Sequence, residues 1–274
     1  MIKVNDEVIR VEHFPDGTQK LSIESIWNAS GSYGIDWRYE KEEELSTLIF
    51  VTRHLRNTPY TKSVELKMNY LPNARMDRIH EKQEVFILKS FADVINWLDF
   101  DLVKILDVHS NVGAALINNA VIETPKIYID EVIKKIEEDS AGFVLYFPDE
   151  GAAKRYSDMF PGYKYCYGEK KRDWDTGEIL GLDIKLNGID LSGKTVLMID
   201  DIISYGGSLY HSANTLKDNG AGKIYAFATH TENSILDREK GTLIRSLEND
   251  TVERLFTTDS LFTGRHEKIT VMEV

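Results

Sequence analysis

Short apolar runs alternate with polar, helix-patterned stretches along most of the chain. Residues 103–108, 143–147, 196–199 and 224–229 are compact apolar runs, each reading as a strand buried on both faces. Residues 164–167 and 268–274 read as further strands. Residues 1–11 and 21–26 alternate loosely like edge strands. The run 48–51 predicts one more short strand, and 62–69 suits a helix or the approach to one. Between 83 and 98, Val85, Phe86, Leu88, Phe91, Ala92, Val94 and Ile95 fall at helical spacing and predict an amphipathic helix. Residues 131–138 predict a charged helix with Val132, Ile133 and Ile136 inward, and 152–159 and 209–216 predict two more. Strands alternating with helices imply an α/β fold with largely parallel sheets, whose ligands sit beyond the strands' carboxyl ends. The least patterned join lies near Pro125, so two domains are expected, 1–125 and 126–274.

The stretch TVLMIDDIISYGGSL at 195–209 carries the most chemistry. A buried strand runs straight into two carboxylates, Asp200 and Asp201. A turn of Ser204, Tyr205, Gly206, Gly207 and Ser208 follows and leads onto a helix. Glycines let backbone N–H groups approach a phosphate, and a helix N-terminus adds partial positive charge there. The carboxylates can accept hydrogen bonds from vicinal sugar hydroxyls or hold a magnesium ion. A nearby segment, GIDLSGKT at 188–195, has the spelling of a Walker A loop. That motif must follow a strand and open a helix, whereas here the strand begins after it, so a polar turn entering a strand is expected.

Composition narrows the function classes. The 274 residues, 42% hydrophobic, are enough for one large or two medium domains. A formal charge of −12, from 45 acidic and 33 basic residues, argues against a nucleic-acid surface or an anionic-membrane surface. One cysteine, Cys166, excludes an internal disulfide and a cysteine-based zinc site, and suits a reducing cytoplasm. No basic-then-apolar signal pattern opens the chain, and no apolar run approaches about 18 residues, so a soluble, unexported protein is expected.

Six blocks, in order, resemble the ribose-phosphate diphosphokinases, also called phosphoribosyl-pyrophosphate synthetases. They are HFPDGTQ at 13–19, YLPNARMDR at 70–78, ILDVHS at 105–110, FPDEGAAKRY at 147–156, EKKRD at 169–173 and the Asp200 loop. The resemblance implies two tandem type I phosphoribosyltransferase-like domains, an ATP side in the first and the ribose-phosphate loop and catalytic flap in the second. For ATP it implies Phe14, Asp16, Arg75, Met76, Asp77 and His109, with Met76 standing where the family uses Gln and Thr18 where it uses Glu. His109 and Asp149 correspond to the metal-side residues, with Mg²⁺ as cofactor. Lys170 and Arg172, together with His109, correspond to catalytic residues; alone, a run such as Lys170 to Arg172 is ordinarily a solvated turn. Asp200, Asp201, Ser204, Tyr205, Gly206, Gly207 and Ser208 correspond to the ribose-phosphate site, with Ser204 replacing a customary aspartate and Tyr205 a small residue.

The implied partners are ATP and a ribose-phosphate acceptor, in a homo-oligomer of two or more subunits. The family's usual extra helical unit before the Phe14 block and its terminal helix contribute to subunit contacts, and neither is read in this sequence. The acceptor stays open between ribose 5-phosphate and ADP-ribose, because phage enzymes resembling these synthetases make ADP-ribose pyrophosphate. Two other readings stay open as well: a type I phosphoribosyltransferase, and a non-catalytic regulatory paralogue of the synthetase.

Overall fold

The computed structural model describes residues 1–23, 30–79, 81–137, 142–172 and 179–274, without the side chains of 170–172 and 179–181. The chain divides into two compact units, Met1–Thr124 and Pro125–Val274. Both are α/β, with largely parallel sheets of the type I phosphoribosyltransferase kind.

In the first unit the elements run β1 (Ile2–Val4), β2 (Glu7–Val8), β3 (Arg10–His13), β4 (Gln19–Ser22), β5 (Ser32–Trp37), α1 (Glu44–Arg56), β6 (Ser63–Met68), α2 (Ile87–Trp97), β7 (Leu102–Leu106), α3 (Asn111–Leu116) and β8 (Ala120–Glu123). The main sheet has the order β2-β1-β5-β6-β7-β8, parallel from β5 to β8, and β3 and β4 form a separate antiparallel hairpin. Two sequence expectations are corrected here. Residues 48–51 belong to α1: Leu48, Val51 and Leu55 are buried at spacings of three and four, a helical stripe that a four-residue apolar window hides. Residues 62–69 hold the strand β6, in which Val64, Leu66 and Met68 are buried and the residues between them are not.

In the second unit follow α4 (Lys126–Glu137), β9 (Phe143–Phe147), α5 (Glu150–Tyr156), β10 (Tyr165–Arg172), β11 (Ile179–Lys185), β12 (Thr195–Ile203), α6 (Gly207–Asp218), β13 (Ile224–Thr231), α7 (Leu243–Glu248), β14 (Arg254–Thr258) and β15 (Ile269–Met272). The sheet order is β11-β10-β9-β12-β13-β14-β15, parallel except for β10 against β11. Alternate residues of the apolar runs serve opposite faces. Val144, Tyr146, Val196 and Met198 join a core with Leu209, Ala213 and Leu216 of α6 and Leu247 of α7. Leu145, Phe147, Leu197 and Ile199 join another with Ile129, Val132 and Ile133 of α4 and Tyr156 of α5. A strand that must feed two cores cannot alternate apolar with polar, so these runs are continuous.

From β9 the chain proceeds outward to β10, and from β12 it proceeds outward to β13 on the other side. The crevice at the carboxyl ends of β9 and β12 is therefore a topological switch point, the usual ligand position in such sheets. Residues 188–194 form a turn entering β12, in which Asp190 Oδ1 accepts from Ser192 N at 2.9 Å, and no helix follows. That is not Walker A geometry. Among the described residues no helix is long and apolar enough to cross a membrane.

Candidate active site

At the switch point of the second unit, β12 delivers Asp200 and Asp201 and β9 delivers Asp149. The register that pairs Met198 with Tyr146 sets the acid pair just beyond the end of β9. Asp149 caps α5, accepting from Ala152 N at 2.9 Å through one oxygen. Asp201 is 3% exposed and meets Arg155 of α5, Nη2 to Oδ1 at 3.4 Å, while its amide donates to Asp200 Oδ1 at 2.9 Å. Burial first, then Asp201 and more weakly Asp149, push the Asp200 carboxyl well above the ordinary aspartate range. Arg155 brings positive charge to this carboxylate set through Asp201. The set suits an oxygen-preferring cation, or hydroxyl donors, arriving with a substrate. Among the described residues no three His, Cys, Asp or Glu side chains converge to hold a metal by themselves.

This arrangement has a measurable consequence. Because the folded state raises the Asp200 pKa, ionising Asp200 weakens folding as pH climbs above the unfolded value. Asp200→Asn keeps the oxygen that accepts from Asp201 N and removes the titration. It is expected to raise Tm of the ligand-free protein near neutral pH, the gain shrinking to nothing as pH falls to about 4. Calorimetry across that range checks it, and a pH-independent difference would contradict the burial cause.

The loop after β12 is fixed by its neighbours. Gly206 has φ 86°, and a Cβ there would stand 2.3 Å from Leu243 Cβ, so only glycine fits. Tyr205 O accepts from Thr242 N at 2.8 Å and Thr242 Oγ1 at 2.9 Å. These bonds pin the loop to the start of α7 and leave the Tyr205 ring 39% exposed, with Lys240 Nζ 5.9 Å from its centroid. Gly207 and Ser208 open α6, whose first-turn amides have no helical acceptor and point at the loop. Beneath them Tyr146 OH donates to Ser212 Oγ at 2.7 Å, which in turn donates to Ser208 O at 2.9 Å. The buried Tyr146 hydroxyl is pushed above its ordinary range, so it stays a donor. Tyr146, Arg155, Ser212, Thr242 and Leu243 were not legible as site residues, because each acts through a neighbour distant in sequence.

Lys170 and Arg172 lie in β10 rather than after a strand: in the antiparallel ladder with β11, Lys170 pairs with Leu182 and Arg172 with Ile179, with an irregularity between Lys171 and Arg172. The backbone there is a two-stranded arm at the edge of the sheet. The two side chains, and residues 173–178, lie outside the described set.

In the first unit, Asp77 and His109 follow the adjacent parallel strands β6 and β7. Asp77 is 6% exposed and is held by Arg78, Nε to Oδ1 at 2.8 Å. Arg78, then Ser110 and His109, lower the Asp77 carboxyl against the opposing effect of burial. Arg75 is exposed, and Met76 is partly exposed in the same turn, where its amide donates to Asn73 O at 2.9 Å. Phe14 and Asp16 occupy the tip of the β3–β4 hairpin. Phe14 is 52% exposed, and Asp16 Oδ1 accepts from Thr18 N at 3.0 Å and Thr18 Oγ1 at 2.7 Å. Thr18 thus stabilises the tip that Phe14 crowns. The structure brings Asp77 and His109 together, and separately Asp149, Asp200, Asp201 and the 204–208 loop.

Residues 183–264 match the family described as the phosphoribosyl synthetase-associated domain. A ribose-phosphate pyrophosphokinase of Sulfurisphaera tokodaii is 30% identical, over 97% of this chain and 89% of its own. One from Pyrococcus abyssi is 27% identical over 81% and 75%. The crystal structure of phosphoribosylpyrophosphate synthetase from Mycobacterium smegmatis shares the fold, with a TM-score of 0.74 at 18% identity, covering 97% of this chain and 86% of that one. An α/β fold with an acid pair and a glycine loop at its switch point places the chain among α/β proteins that bind ligands beyond the strands' carboxyl ends. Among them, the chain belongs to the ribose-phosphate pyrophosphokinase family of diphosphotransferase enzymes.

Proposed function

We propose that this enzyme transfers diphosphate from ATP to the anomeric hydroxyl of a ribose phosphate and releases AMP. The observation that carries the reading is the switch-point set: Asp200 and Asp201 beside a glycine loop that opens a helix, in a chain of this family. Asp200 and Asp201 receive hydrogen bonds from the 2′ and 3′ hydroxyls, and the amides at Gly206 to Ser208 hold the 5′-phosphate. Arg75, Met76, Asp77 and His109, with Phe14 and Asp16 reaching a neighbouring subunit of a homo-oligomer, form the ATP side. The anomeric oxygen forms a bond to the β-phosphorus as the bond to the α,β-bridging oxygen breaks; AMP leaves with that electron pair, and the hydroxyl proton passes to solvent. Lys170 and Arg172 steady charge on the transferring group, and positioning supplies most of the acceleration, with no protein nucleophile. His109 and Asp149 would each offer a ligand to magnesium, whose chemistry when bound would be the neutralisation of polyphosphate charge. Burial pushes the Cys166 thiol up to about 12, which removes it from the chemistry.

The acceptor is ribose 5-phosphate or ADP-ribose, and the exposed Tyr205 ring favours the second. A ring beside the loop, with Lys240 near its face, can stack on a base at the far end of a longer acceptor. The test is mass spectrometry of products from ATP, Mg²⁺ and each acceptor. AMP and a diphosphorylated ribose are expected only with all three present; ADP, or turnover without acceptor, would point to a kinase or nucleotidase. Tyr205→Thr is expected to lower kcat/KM for ADP-ribose roughly tenfold while sparing ribose 5-phosphate, the loss of about one stacked base. An unchanged preference would sink the stacking argument.

A further inference from the structure

Ser204 opens the acceptor loop, but its proton is already committed. Its hydroxyl donates to Glu232 Oε2 at 2.7 Å, and Ser234, 3.2 Å from Ser204, donates to the same oxygen at 3.1 Å. A serine hydroxyl has one proton, so neither side chain can donate to a phosphate while this arrangement lasts. Glu232 is anchored from the next strand: it follows β13, and its amide donates to Ile203 O at 2.8 Å, at the root of the loop. The loop is therefore two-ended. At Gly206 to Ser208, amides and the α6 dipole attract an anion; at Ser204, a carboxylate and oxygen lone pairs repel one. Replacing an acidic side chain by Ser204 did not strip the loop of negative charge, because Glu232 supplies it from outside the loop.

We infer that Glu232 is a specificity-determining residue of the acceptor site, disfavouring a terminal phosphate monoester relative to a phosphodiester. A monoester carries about −1.5 to −2 charge at neutral pH, and esterification leaves a single charge. The extra charge is what the carboxylate at the loop's root opposes. This inference rests on the acceptor reading above, and it gives that reading a chemical class: a ribose whose 5′-phosphate is capped, by an ester or an anhydride, so that this phosphate carries a single charge.

The direct test compares ribose 5-phosphate with its phosphate methyl ester, which differ only by the ester. Affinities are read by calorimetry on the ATP-free enzyme and kcat/KM by AMP release, in wild type, Glu232→Gln and Glu232→Asp. Glu232→Gln is expected to shift the monoester-to-diester ratio toward the monoester by roughly fivefold or more, as loss of one opposed charge implies. Glu232→Asp keeps the charge and is expected to stay within about twofold of wild type. Normal turnover with an unchanged ratio in Glu232→Gln overturns the inference and leaves the proposed reaction standing. A shifted affinity ratio without AMP release supports Glu232 while refuting the reaction. If neither ester binds the wild type, the acceptor reading fails and this inference fails with it.

Discussion

Lys170→Ala and Arg172→Ala are each expected to lower kcat by roughly 10²-fold or more, with ATP affinity nearly intact. The argument is one of timing. A lysine point charge and an arginine fork act mainly on negative charge that builds on the transferring group, so their loss weakens the transition state more than the ground state. Both residues lie in the antiparallel pair of β10 and β11 at the edge of the sheet. Single-turnover rates beside nucleotide binding check the split. Near-normal kcat in both variants would return the run to an ordinary solvated strand end. Lys194→Ala, in the turn that only spells a phosphate loop, serves as the control and is expected to change little.

The second large effect separates two adjacent glycines. Gly206→Ala forces a Cβ to within 2.3 Å of Leu243 Cβ at φ 86°. Left-handed strain and overpacking together cost about 2–5 kcal/mol, equivalent to a Tm lower by roughly 5–15 °C for a unit of this size. Gly207→Ala meets nothing closer than Thr242 Oγ1 at 3.8 Å, an ordinary contact, and lies in the first turn of α6. Its Tm is expected to hold. With the 5′-phosphate held as proposed, the added methyl stands in its approach to the backbone, so KM for the acceptor should rise roughly tenfold through weakened charge-assisted hydrogen bonds. Thermal scans with acceptor kinetics on both variants give the answer. If Gly207→Ala keeps both Tm and KM, the phosphate does not bind at that turn.

The sequence by itself determined the α/β class and set the acid pair at the end of a buried strand. Phe143–Phe147 and the run leading into Asp200 are continuous because both faces of those strands are buried, and an unbroken run ending in two carboxylates is legible without coordinates. Gly206 was legible for a similar reason, since a backbone needing φ > 0 admits few residues. Short elements were not. Residues 48–51 read as a strand because four apolar residues fit either period, and only the packing of Leu48, Val51 and Leu55 into one core selected a helix. Residues 62–69 became a strand because the sheet offered β6 partners on both sides, an outcome local propensity does not encode. The tertiary structure alone decided how the loop is charged. Ser204 and Glu232 are 28 residues apart, and Arg155 and Asp201 are 46 apart. Their meeting follows from parallel strands whose carboxyl ends gather in one crevice, a long-range consequence of sheet order that no local pattern carries.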